Sequence, residues 1–420
     1  MIPSSLSAPT VDALLHCNGV GSDAWWREVT AIGTPLVTSI EGSKNVVVTF
    51  LWRDVHGCEA RSPCQKVWIN ITGLTDHHAG CRPVSLTRIA GTDVWFYQLV
   101  MDATWRGSYC FVPSHTAHDV PSAPHTLQSL QQWWRRQLPQ AMYDPLNKRP
   151  AWLSARGHPS SGMVMPMAAY SMAWQQWDHG PHPLPVPERL QRHVWYSQRL
   201  KTYRKIWVFE TGDVTDTHRP LALLLDGQFW AQRMSIWSPI AHDTRTKRLP
   251  AAVYVLIDTL DNTHRKRDMV CSGSFWQAVQ EELLPQVSQW AVWDTSPERT
   301  VVAGQSLSGI AALYAGVLWP HRFGNVISQS GAYWCLTEMQ WQVFASSTTA
   351  LNVFLQSGTH EPRIDEGHQR LLTTLRTSPH SVMHRIEPGG HDVMWWREGL
   401  LEGLHHVWRD REINASAENE

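Results

Sequence analysis

Short alternating runs of apolar and polar residues fill the first part of the chain. Asn45 to Trp52 (NVVVTFLW), Lys66 to Ile71 (KVWINI), Pro83 to Ile89, Val94 to Val100 (VWFYQLV) and Trp105 to Val112 are separated by turn-forming residues, which predicts strands. No helical period of any length interrupts them before a stretch over about 126–138. Residues 1–149 are therefore expected to form an all-β antiparallel sandwich. Residues 150–189 have no durable period and are rich in Pro, Gly, Ser and Met. The run from Gly180 to Pro187 excludes helix and central strand, which predicts an interdomain linker.

Beyond residue 190 the pattern changes. Ile206 to Glu210, Leu221 to Leu225, Ala252 to Ile257, Thr300 to Ala303, Asn325 to Ser328, Val353 to Gln356 and Ser381 to Ile386 are short, mostly continuous apolar runs, as expected of strands buried on both faces. Helical patterns such as Phe275 to Trp290 and Ser308 to Trp319 lie between them. This alternation predicts a mostly parallel, doubly wound α/β domain over residues 190–412, followed by a disordered tail at 413–420.

Composition narrows the function classes. The chain of 420 residues has a formal net charge of −1, so no global field draws it to nucleic acid or to an anionic membrane. Seven cysteines without a CxxC pair predict reduced thiols, with neither a disulfide framework nor a zinc site. No basic, apolar leader and no run of about 18 apolar residues occurs, which predicts a cytoplasmic protein without membrane insertion. The 24 tryptophans outnumber the 9 tyrosines and 9 phenylalanines together. Most are expected in the core, with a few on loops suited to a substrate carrying aromatic rings.

The candidate chemistry centres on Gly304-Gln305-Ser306-Leu307-Ser308-Gly309, between an apolar strand and a helix of small residues. That is the context of a nucleophile elbow, although G-x-S-x-G would place glycine at position 308. Ser306 is the candidate nucleophile; the bland alternative is an ordinary helix N-cap. In α/β-hydrolases an acid and then a histidine follow the serine. Glu361 follows the strand ending near Gln356, with Asp365 as its rival, and His391 follows the glycine pair after the next strand. His391 would take the serine proton while the acid fixes its tautomer. Asp392 adjoins the histidine and is expected to be structural. The oxyanion donors are expected to be the backbone N–H groups of Leu307 and of Gln228, with Gly227 allowing the close turn and Asp226 holding it. The basic run His264-Arg265-Lys266-Arg267 follows another strand end and would suit an anionic substrate; a solvated loop is the alternative reading. No P-loop, GxGxxG or HExxH occurs.

Longer strings resemble the enterochelin (ferric enterobactin) esterases. They include Ile71-Thr72-Gly73-Leu74-Thr75-Asp76-His77-His78, Arg88 to Trp95, Trp105 to Phe111, Leu224 to Gln232, Ala252 to Asp258, Asp261 to Arg265, Val301 to Ser306, and Gly389-Gly390-His391-Asp392 with Trp396-Arg397. The resemblance implies a cytoplasmic serine esterase that cuts the trilactone of a catecholate siderophore into dihydroxybenzoylserine units and so releases iron. It places Ser306, Glu361 and His391 as nucleophile, acid and base, and Arg265 as the main substrate-binding residue; Gly227, Trp230 and Arg267 are further substrate-binding candidates. No cofactor is expected, iron entering only with the substrate. Leu307-Ser308, Asp268 and Ser272 depart from the family pattern. Two alternatives stay open: an esterase for another acyl ester or lactone, and a siderophore- or carbohydrate-binding protein with weak activity.

Overall fold

A computed structural model describes residues 8–417 except 117–119, 122–125 and 170. They fall into two compact units, Met1–Tyr170 with Pro388–Trp395, and Ser171–Glu387 with Trp396–Glu420.

Among the described residues the first unit holds nine strands: β1 (Leu36–Ser39), β2 (Asn45–Arg53), β3 (Lys66–Ile71), β4 (Val84–Ser85), β5 (Thr87–Arg88), β6 (Val94–Asp102), β7 (Arg106–Ser114), β8 (Trp152–Leu153) and β9 (Pro159–Val164). They form a four-stranded sheet in the order β1-β2-β6-β5 and a five-stranded sheet in the order β4-β3-β7-β9-β8, antiparallel throughout. Val48, Phe50 and Trp52 from the first sheet share one core with Val67, Ile69, Ile71 and Phe111 from the second, which is the expected sandwich. The predicted strand Pro83–Ile89 is two short strands in different sheets, joined through buried Leu86.

Helices cover the outer faces of both sheets. Ala8–His16 and Asp23–Ile32 pack Leu14, Trp25 and Val29 against Leu51 and Val94, and the predicted helix, Leu127–Gln137, packs Trp133 and Trp134 against Trp68 and Val112. The first two were missed because each is short, about the length at which isolated helices are marginal and tertiary packing decides. Ser22 caps the second of them by accepting the Trp25 N–H, and Gly33 ends it at φ 86°. The expected linker is also corrected. Residues 152–164 supply β8 and β9, with Met163 and Met165 in the sandwich core. Residues 172–179 form helical turns that bury Trp174 and Trp177 in the second unit.

The second unit holds β10 (Leu190–Ser197), β11 (Thr202–Glu210), β12 (Leu221–Leu224), β13 (Val253–Ile257), β14 (Thr300–Gln305), β15 (Asn325–Gln329), β16 (Asn352–Gly358) and β17 (Ser381–Glu387). Their order is β10-β11-β13-β12-β14-β15-β16-β17; the first two pairings are antiparallel and the other five parallel. β12 to β16 are buried on both faces, as their continuous apolar runs require. The final helix runs Val393–Ala417, so the tail expected to be disordered at 413–420 is helical to 417, and 418–420 lie outside the described residues.

His368 is fully buried in the core of this unit, and among the described residues neither ring nitrogen has a hydrogen-bond partner. Burial, and then the neighbouring His384, push its pKa down to about 3. The unfolded chain therefore takes up this proton first, near pH 6.5, and stability falls as the pH drops from about 6.5 toward 3. His368→Leu, which removes both unpaired nitrogens, should raise stability at pH 7 by about 1–3 kcal/mol. In urea titrations the gap from the parent should widen between pH 7 and pH 5; an equal gap at both would exclude the buried imidazole as its source.

Candidate active site

Ser306 follows directly on β14 and is half-buried at φ 59°, ψ −120°, a conformation L-residues rarely adopt. The turn holds because the backbone crowds itself. A Cβ at Gly304 would lie 2.1 Å from the Ser308 carbonyl oxygen, so only glycine fits there. Ser306 N–H donates to the Gln329 carbonyl at 3.0 Å, and Ala332 N–H donates to the Ser306 carbonyl at 3.1 Å. The helix Leu307–Leu318 begins at once, and its first N–H groups have no acceptor within the helix. Ser308, where the elbow pattern has glycine, is buried, and its hydroxyl donates to Asp226 Oδ2 at 2.7 Å.

The loop after β12 is the neighbouring piece. Asp226 sits at φ 54°, ψ 39° and opens the short helix Gly227–Gln232. A Cβ on Gly227 would come within 2.6 Å of the Ile257 nitrogen, so the loop can lie against β13 only with glycine there. Gln228 is locked through its side chain, donating to Thr259 Oγ1 at 2.9 Å and accepting the Thr259 N–H at 3.0 Å. Its backbone N–H is a first-turn group, like that of Leu307.

The substrate-binding expectations fare unevenly. Trp230 is only 1% exposed, and its indole N–H donates to Gln305 Oε1 at 3.0 Å. Its burial leaves no stacking surface, contrary to the expectation. Arg265, on the helix Asn262–Met269, forks onto Asp226 at 2.7 and 2.8 Å and donates to the Gln305 carbonyl at 3.0 Å. Arg267 pairs with Asp268, which also holds buried Arg204. Lys266 is exposed. Arg265 and Arg267 are thus each paired with an aspartate.

Glu361 lies just beyond β16, buried, its Oε2 accepting the Ser330 hydroxyl at 2.8 Å and the Gly358 N–H at 2.6 Å. Ser330 in turn accepts the Trp396 indole N–H at 2.8 Å. Asp365 is exposed on the first turn of the helix Pro362–Leu375, where it accepts from Gln369. Both acids are where the sequence put them, and only Glu361 is buried at the strand end.

His391 belongs to the Pro388–Trp395 segment, which packs with the sandwich unit. The glycine pair before it has a steric reason. A Cβ on Gly390 would lie 2.5 Å from Gly73 Cα, and one on Gly389 would lie 2.5 Å from the Trp395 ring. Trp395 Nε1 donates to the Gly390 carbonyl at 2.7 Å. Asp392 accepts the Ser108 and Met394 N–H groups, each at 2.8 Å, and so fixes the segment to β7. The His391 ring centroid is 5.3 Å from that of His78, whose Nδ1 is 2.7 Å from Asp76 Oδ2. Burial raises the Asp76 pKa, but the charges and bonds of His78, His77 and Gly73 outweigh it and hold it at about 2, so the His78 ring donates to a carboxylate. Sequence reasoning assigned this imidazole pair no role. Its only signal was the Asp76-His77-His78 string.

Asp76, His77 and His78 are also the residues whose ligand atoms come within 4.8 Å of one another. Asp76 Oδ1 already accepts the N–H groups of Gly73, His78 and Ala79, and Oδ2 the His78 ring. All seven cysteines are free thiols. Among the described residues no helix is long and apolar enough to cross a membrane.

An eight-stranded, mostly parallel sheet with a strained serine between its central strand and the following helix defines an α/β-hydrolase, here accompanied by a β-sandwich unit. Residues 47–174 match the family model described as "Enterochelin esterase, N-terminal", and residues 197–407 the one described as "Putative esterase". The iron(III) enterobactin esterase of Escherichia coli O6:H1 is 43% identical over 401 residues, 93% of this chain and 97% of that one. The ferric enterobactin esterase from Salmonella typhimurium superposes with a TM-score of 0.83 at 40% identity, covering 93% of this chain and 99% of the other. The enterobactin esterase from Shigella flexneri, crystallised in the presence of enterobactin, gives 0.81 at 42% identity with the same coverage. The chain belongs to the iron(III) enterobactin esterase family.

Proposed function

We propose that this chain is a serine esterase that hydrolyses the trilactone of ferric enterobactin to dihydroxybenzoylserine units in the cytoplasm. The single observation carrying the chemistry is Ser306, held at φ 59° at the mouth of a helix in a chain of this family. Ser306 Oγ attacks a lactone carbonyl while His391 takes its proton. The N–H groups of Leu307 and Gln228 receive the developing oxyanion. Collapse expels the seryl alkoxide, protonated by His391, and leaves an acyl group on Ser306. Water, deprotonated by His391, then releases the acid. Glu361 fixes the tautomer of His391 and stabilises the imidazolium. The roles of Glu361 and His391 rest on their order along the chain. No metal takes part, and iron enters as part of the substrate. Free thiols suit a reducing compartment.

The pure protein incubated with ferric enterobactin should yield linear trimer, dimer and monomer in succession by chromatography. Turnover of p-nitrophenyl esters alone would point to another ester or lactone. Tight siderophore binding without turnover would point to a binding protein.

A further inference from the structure

Asp226 accepts four hydrogen bonds that join three separate segments. Arg265 forks onto it through Nε and Nη2, Thr259 Oγ1 donates at 2.7 Å, and Ser308 Oγ donates at 2.7 Å. These segments follow β13 (Thr259 and Arg265), β12 (Asp226 itself) and β14 (Ser308), three neighbours at the centre of the sheet. The same Arg265 Nη2 reaches the Gln305 carbonyl, the residue before Ser306, and approaches Ser308 Oγ at 3.4 Å. Thr259 also grips the Gln228 side chain from two sides. Asp226 therefore ties the backbone that presents Gln228 N–H to the backbone that presents Leu307 N–H. Burial by itself would raise the Asp226 pKa, but Arg265, Thr259 and Ser308 outweigh it, so the group is a carboxylate, able only to accept.

We infer that Ser308, Asp226 and Arg265 form a positioning clamp that sets the spacing of the two oxyanion donors, with Arg265 acting on the enzyme's own backbone and not as a substrate ligand. The inference rests on Ser306 as nucleophile. The Ser308 hydroxyl is its chain-specific part, since glycine in the elbow pattern carries no donor to Asp226. Preorganised donors act on the transition state more than on the bound substrate, so loosening them lowers kcat with little change in KM.

Ser308→Ala should lower kcat on ferric enterobactin about 10- to 100-fold with KM within about two-fold. Affinity for an arylboronic acid that adds to Ser306 should fall by a similar factor. Asp226→Asn should lower kcat at least as far, and the double variant should lose no more than Asp226→Asn alone. Should Ser308→Ala fail to fold, Ser308→Gly removes the same hydroxyl. Unchanged kcat and boronate affinity in a folded Ser308 variant, or additive losses with Asp226→Asn, would overturn the clamp. Turnover retained by Ser306→Ala would remove the nucleophile itself and the clamp with it. A dead Ser306→Ala beside a fully active Ser308→Ala refutes the clamp alone.

Discussion

Ser306→Ala is expected to lower ferric enterobactin turnover by about 10⁴–10⁶-fold while siderophore binding, read by tryptophan quenching, stays within about two-fold. Nothing else on the elbow can replace the hydroxyl: Ser308 Oγ is buried and committed to Asp226. The residual rate would come from the oxyanion donors and from binding alone. The same position makes a prediction about stability. A non-glycine residue at φ 59° carries strain on the order of 1–3 kcal/mol. Ser306→Ala keeps a Cβ and should leave stability unchanged, whereas Ser306→Gly relaxes the strain and should raise the urea midpoint while being equally inactive. A Ser306→Ala enzyme with more than a few per cent of parent turnover would remove Ser306 from the chemistry.

The catalytic unit was legible because its signals are local. Continuous apolar runs marked β12 to β16, the strand-turn-helix context marked Ser306, and chain order marked Glu361 and His391. The departure from glycine at position 308 looked like the weak point of the elbow. It became intelligible only once Asp226, 82 residues away, supplied the acceptor for its hydroxyl. Arg265 was ambiguous for a related reason. A basic run after a strand end is the same string whether it greets an anion or answers a buried aspartate, and the partner is set by a pairing across the sheet edge. His391 shows the limit most clearly. Its sequence position follows β17, yet Gly390 and Asp392 fit it against Gly73 and Ser108 of the sandwich unit, more than 280 residues away by the Ser108–Asp392 bond. No periodicity carries contacts of that range.

Residues 171–180, expected to be linker, hold the largest expected stability effect. Arg397 donates to both oxygens of Asp178 at 2.8 Å, and both side chains are buried. The guanidinium carbon lies 4.9 Å from the Trp174 ring and 5.2 Å from the Trp177 ring. The apparent linker is therefore anchored to the final helix by a bidentate ion pair between two indoles. Arg397→Met would keep most of the bulk and leave the Asp178 carboxylate buried without its fork, which should destabilise the protein by about 3–5 kcal/mol. Arg397→Lys keeps the charge but not the planar fork and should fall between. The pair itself is worth less than its breakage, because removing both charges also removes their desolvation. Arg397→Met with Asp178→Leu should thus recover most of the loss in urea unfolding. If the double variant is as unstable as Arg397→Met, the damage lies in the packing of Trp174 and Trp177 and not in the loss of the fork on Asp178.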